Sequence, residues 1–101
     1  MAEKVVVYWR DIPAQVIVKA GRKTAKRQLS ERFEQAIDRA AMRARMTGTD
    51  AYLEQWRRAD PVPCGDDLEA EAATAAEALE AEYTAERLRD LVANGGTVSD
   101  G

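Results

Sequence analysis

The chain has no histidine and only one cysteine, Cys64. Without histidine there is no imidazole base, so Cys–His pairs and Ser–His–Asp triads are excluded. A single thiol can build neither an intrachain disulfide nor a cysteine-based structural zinc site. A chain of this size that folds without such staples is expected in a reducing cytoplasm. Long apolar runs are also missing. No segment reaches the roughly 18 apolar residues of a membrane helix, and the start, MAEKVVVYWRD, lacks the apolar core of a signal peptide. Aromatics are scarce, with two Trp, three Tyr and one Phe. Alanine, valine and leucine must therefore fill the core, which favours close helix packing over a large internal pocket and weakens the case for an enzyme. No GxGxxG or Walker-type run occurs, so nucleotide binding has no support.

What the chain does have is charge, unevenly placed. At 101 residues it fits one compact domain, expected over residues 1–94 with a flexible tail at 95–101. Residues 1–60 hold 13 Lys and Arg against 8 Asp and Glu, whereas residues 61–101 hold 2 against 10. A basic front (+5) and an acidic back (−8) attract each other within a chain or between two copies, so a homo-oligomer is a candidate state.

The local patterns predict an α+β fold, with a small N-terminal antiparallel sheet of two or three strands packed against three helices. KVVVYWR (4–10) is rich in β-branched and aromatic residues and reads as a strand, DIPA as a turn, and QVIVK (15–19) as a second strand. Ala20-Gly21 supplies the next reversal. Residues 24–28 are ambiguous between strand and helix, and a strand is preferred because a lone hairpin is marginal in water. Ser30 is a plausible N-cap, followed by Phe33, Ala36, Ile37, Ala40, Ala41 and Ala44 at helical spacing up to Thr47-Gly48. DAYLEQWRR (50–58) reads as a short second helix whose Tyr52, Leu53 and Trp56 make an aromatic-aliphatic ridge, and DPVPCG as a stiff connector. In the third helix, opened by Asp66 and Asp67, Leu68, Ala72, Ala75, Leu79 and Tyr83 share one stripe. Leu88, Leu91 and Val92 fall on nearly the opposite side, so either the helix breaks near Thr84 or it offers two stripes to two surfaces.

Four groups of residues are candidate sites. Trp9, Arg10 and Asp11 bring an aromatic, a guanidinium and a carboxylate to a strand end, and Trp56-Arg57-Arg58 repeats the theme. Trp and Arg are preferred anchors of partner surfaces, so Trp9, Arg10, Asp11, Tyr52, Trp56, Leu88, Leu91 and Val92 are the candidate partner-binding residues. GRKTAKRQ (21–28) offers Arg22, Lys23, Lys26 and Arg27, which with Arg32 are candidate anion contacts. No aromatic interleaves that run and the sequence pI is about 5.0, so a charged edge strand that resists unwanted pairing explains it better than nucleic-acid binding. Cys64 lies beside Asp66 and Asp67, which raise a thiol pKa rather than activate it. The acids Glu69, Glu77, Glu80, Glu82 and Glu86 lack a loop that would converge them on a cation and read as a solvated face. No cofactor, metal or catalytic set is expected.

Three ordered blocks, YWRDIPAQV (8–16), ERFEQAIDRAAM (31–42) and DAYLEQW (50–56), resemble a small bacterial domain family described as "virulence factor". The resemblance implies an adaptor or accessory role, since related domains occur alone or joined to iron–sulfur-scaffold-like and helical-repeat segments. Stand-alone relatives occur beside enzymes of folate-linked one-carbon metabolism. This implies an alternative role as an auxiliary subunit, contributing residues such as Arg10 or Arg32 to a shared site. The resemblance brings no catalytic residues with it. The leading expectation is a non-catalytic accessory protein that binds another protein in the cytoplasm, with nucleic-acid binding through residues 22–27 as a further alternative.

Overall fold

A computed structural model describes residues 2–46 and 50–97. It is α+β, with elements in the order β1 (Ala2–Trp9), β2 (Ile12–Ala20), β3 (Lys23–Gln28), α1 (Glu31–Arg43), α2 (Asp50–Glu54), β4 (Trp56–Arg58), β5 (Val62–Cys64), α3 (Leu68–Glu82) and α4 (Ala85–Ala93). The sheet is antiparallel throughout and runs β3-β2-β1, with β4 and β5 sharing the far edge of β1. Among the described residues, five strands and four helices thus replace the two or three strands and three helices expected.

The ambiguous run after Gly21 is a strand, and Gly21 takes φ +62° in the turn before it. The first turn falls earlier than DIPA. Arg10 and Asp11 link β1 to β2, with Arg10 at φ +54°, a left-handed conformation that costs a non-glycine residue energy. Pro13 lies inside β2. It is tolerated there because the pairing skips a residue, with Val7 opposite Gln15 and Tyr8 opposite Pro13. Ala14 is the extra residue of this bulge, and its carbonyl accepts from Leu29 N at 3.1 Å.

Strand alternation sends Val6, Val16, Val18 and Ala25 to the helix side, where Val16, Val18 and Ala25 are buried in the common core. Val5 and Ile17 pair on the opposite face and are buried outside that cluster. Helix α3 lies over β2 and β3, and its small residues Ala72 and Ala76 let it approach closely, with Leu79 and Tyr83 completing the stripe. Helix α1 packs on α4 through a face that buries Phe33, Ala36, Ile37, Ala40 and Ala41.

The final helical run does break. Tyr83 ends α3 and Thr84 caps α4, its Oγ1 accepting from Arg87 N at 3.2 Å. At the other end of α3 the capping is done by Asp67, which accepts from Ala70 N at 3.2 Å. Ser30 precedes α1 without a side-chain cap. Its N–H and hydroxyl instead donate to the Glu80 carboxylate at 2.6 and 2.8 Å. Arg32 completes this tie by donating to the carbonyls of Tyr83 and Glu80, each at 2.6 Å. The start of α1 is thereby bound to the end of α3, where carbonyls lack helical partners.

The expected second helix is cut short at Glu54, and Trp56–Arg58 is β4. Part of the expected connector is β5. Thr47-Gly48, expected to close α1, lies outside the described residues. Gly95 and Gly96, placed by sequence at the start of a tail, are buried, and Gly96 O accepts from Asp11 N at 2.9 Å.

Candidate functional site

The Trp9–Arg10–Asp11 turn is a junction of the fold. Trp9 is 0% exposed, and its indole donates to the Tyr52 carbonyl at 3.0 Å. Arg10 reaches three segments: its Nε donates to Gln55 Oε1 at 3.1 Å, one terminal nitrogen to Gly95 O at 3.0 Å, and the other to Met46 Sδ at 3.1 Å. Its backbone N–H donates to Gln55 O and its carbonyl accepts from Arg57 Nε. Asp11 holds Arg57 at 3.3 Å. Gly96 is tight against this turn: at φ +98°, a Cβ there would lie 2.7 Å from Trp9 Cζ3. Of the candidate partner-binding residues, Trp9 therefore has no surface to offer, and the polar groups of Arg10 are turned inward.

Leu88 and Leu91 are likewise spent on packing. Both are buried on α4, against α1, and only Val92 remains partly open. Beside them runs a groove of about 270 Å³ lined by Arg32, Gln35, Arg39, Arg89, Leu88 and Val92 among others.

Tyr52 and Trp56 lie in a different setting. They meet edge to face at 6.1 Å and 86°, and Tyr52 also touches Trp9 at 5.6 Å. Trp56 is 37% exposed and Leu53 is 63% exposed. The two aromatics line a cleft of about 170 Å³ with Ala14, Gln28, Leu29, Ile37, Glu34 and Asp38. The Tyr52 phenol is pushed above its ordinary pKa, first by burial and then by the carboxylates of Asp38 and Glu34, with the Trp56 indole opposing. Sequence reasoning set Leu53 on a ridge with Tyr52 and Trp56 but did not bring Glu34 and Asp38 to it. The signal for the acids was their i, i+4 spacing on one helix, but nothing local announced that Tyr52 would face them.

The basic run does not form one surface. Its register places Lys26 opposite Ile17 on the face away from the helices, while Arg27, opposite Val16, is on the helix side. There Arg27 shares a shallow depression with Glu77 and Glu80. Lys23 is exposed at the start of β3, and Arg22 is exposed in the turn before it. Arg32, the fifth candidate anion contact, is held by Glu80 and stacks over Phe33 at 4.5 Å. Cys64 is raised from its ordinary pKa first by burial and then by Glu71, with Lys4 opposing. Among the described residues no group of three metal-ligating side chains occurs, and no helix is long and apolar enough to cross a membrane.

The fold defines a small α+β domain whose antiparallel sheet is covered on one face by helices. It belongs to the family described as "Virulence factor", whose model matches residues 7–92. No curated protein and no solved structure matches the chain.

Proposed function

We propose that this protein is a non-catalytic accessory factor that acts by binding another protein, and that it docks through the α2–β4 side formed by Tyr52, Leu53 and Trp56. The observation that carries this reading is the exposure of Leu53 on α2 and of Trp56 on β4, three residues apart, with Trp56 lining a concave cleft with Tyr52. Leucine and tryptophan left in water at neighbouring positions are costly for a chain with so few bulky side chains. Aromatic anchors flanked by arginine, here Arg57 and Arg58, are the residues in which binding energy concentrates. Cytoplasmic residence agrees with a chain whose single cysteine can form no intrachain disulfide.

The test is site-directed crosslinking in cells, with a photoreactive residue at Leu53 and a control at Lys23. A discrete adduct from position 53, absent at position 23 and lost with Trp56→Ala, is the expected result. Equal labelling at the two positions, or an adduct indifferent to Trp56→Ala, overturns the reading. Trp56→Ala must still unfold cooperatively, well above the temperature of the crosslinking, for the comparison to count.

A further inference from the structure

The chain contains six aromatic side chains, and four of them already carry an arginine. Arg10 lies 5.5 Å from the Trp9 ring centre, Arg32 4.5 Å from Phe33, Arg57 4.6 Å from Tyr8 and Arg87 4.2 Å from Tyr83. The two rings with no such partner among the described residues are Tyr52 and Trp56, the pair that lines the α1–α2 cleft.

The charge lining that cleft is of one sign. Glu34 and Asp38 are its ionisable acids, and no lysine or arginine borders it. The two carboxylates are one turn apart on α1, a spacing at which like charges destabilise a helix by ~0.2–0.5 kcal/mol. The ion pairs among the described residues lie elsewhere, Glu80 with Arg32, Asp11 with Arg57 and Glu82 with Arg87. Neither Glu34 nor Asp38 has an ion pair among the described residues. Two carboxylates and two rings that carry no arginine among the described residues thus line one concavity. A cation seated there meets the negative face of a ring and two carboxylates together. At about 170 Å³ the cleft has the volume of roughly five or six waters, enough for a planar head and a short stem.

We infer that the cleft between Tyr52, Trp56, Glu34 and Asp38 is a guanidinium-binding site. Guanidinium suits it better than a compact ammonium because it stacks flat on a ring while its N–H fork reaches the acids. The same head group occurs on small guanidino compounds and on the arginine side chain of a protein. The site stands on the cleft itself; only its use for an arginine of a partner rests on the protein-binding reading above.

The full chain, titrated with butylguanidinium chloride and followed by the NMR signals of the Trp56 indole and the Tyr52 ring and amide, tests this. Saturable shifts confined to the cleft are expected, with sodium butyrate producing none. In Glu34→Gln/Asp38→Asn, which relieves repulsion and so does not threaten folding, affinity should fall about tenfold. Trp56→Leu should weaken binding by a smaller factor. A parallel titration with acetyl-Gly-Arg-Gly-amide separates the sources: much tighter binding than butylguanidinium identifies a protein arginine as occupant, equal affinity a small guanidino compound. Absence of saturation, an equal response to butyrate, or affinity retained in the double variant overturns the site. Crosslinking at Leu53 that succeeds while these titrations fail would leave the protein-binding reading standing alone; the converse would leave only the cleft.

Discussion

Trp9 and Trp56 face each other across the β1–β4 pair, and each is followed by an arginine. Their surroundings differ completely. Trp9 is 0% exposed, its indole is bonded to Tyr52 O, and its neighbour Arg10 reaches Gln55, Gly95 and Met46. Trp56 is 37% exposed at the rim of a cleft. The same dipeptide chemistry therefore serves cohesion in one strand and an open surface in its neighbour. What separates them is which segments close over each ring: α2 and the Gly95–Gly96 turn cover the first, and nothing among the described residues fully covers the second.

That contrast can be broken most directly at Trp9. Trp9→Ala should cost ~3–5 kcal/mol, the range for deleting a large buried aromatic, and denaturant unfolding should show a collapsed midpoint or no folded state. Trp56→Ala in the same assay should cost clearly less, ~1–2 kcal/mol, because the ring is partly exposed and packs mainly on Tyr52. Next comes the glycine pressed on Trp9. Gly96→Ala combines a 2.7 Å approach to the ring with φ +98° and should destabilise by ~2–3 kcal/mol, whereas Gly21→Ala, at φ +62° in open space, should cost ~1 kcal/mol. Equal costs for the two would mean that backbone strain, not the contact with Trp9, dominates at Gly96.

A smaller loss is expected at Arg10. Arg10→Met keeps the stem but removes the donors to Gln55 and Gly95, and should cost ~1–2 kcal/mol in a thermal or urea melt. Arg57→Met, on a side chain half exposed, should cost under ~1 kcal/mol. The smallest effect concerns pH. Burial alone would raise the Glu80 pKa, but the Ser30 N–H and hydroxyl and Arg32 outweigh it and hold the carboxyl below its ordinary 4.5. A carboxyl depressed in the folded state adds stability that is present above its unfolded pKa and lost as pH falls through the folded one. The parent should thus lose stability below about pH 4.5 more steeply than Glu80→Gln, as acid-titrated melts would show. Parallel curves would remove Glu80 from the account.

Much of this architecture was legible before any coordinates. The β-branched runs announced β1 and β2, the helical spacing announced α1, and the angular jump between Tyr83 and Leu88 announced the break at Thr84. The short strands β4 and β5 were not legible, because three residues carry almost no propensity and exist as strands only by pairing with β1. The helix read through residue 58 stops at Glu54 because Trp56 is drawn into register with Trp9 and Gln55 O is taken by Arg10 N. Leu88 and Leu91 were mistaken for an open stripe. Once α4 is a separate helix its own axis decides which side is inward, and that side meets α1. The cleft was half legible: its aromatics stood out, but the acids that give it a sign come from α1 and meet them only in the tertiary structure.

The bond from Asp11 to Gly96 and that from Arg10 to Gly95 join positions about 85 residues apart along the chain. During synthesis the first hairpin is therefore made some 85 residues before the turn that seals it. Until then the growing polypeptide must hold a nascent sheet with its tryptophan uncovered, a state that invites chaperone capture or premature aggregation. Deleting Gly95 and Gly96 would therefore unseal the β1–β2 turn across the whole of that separation.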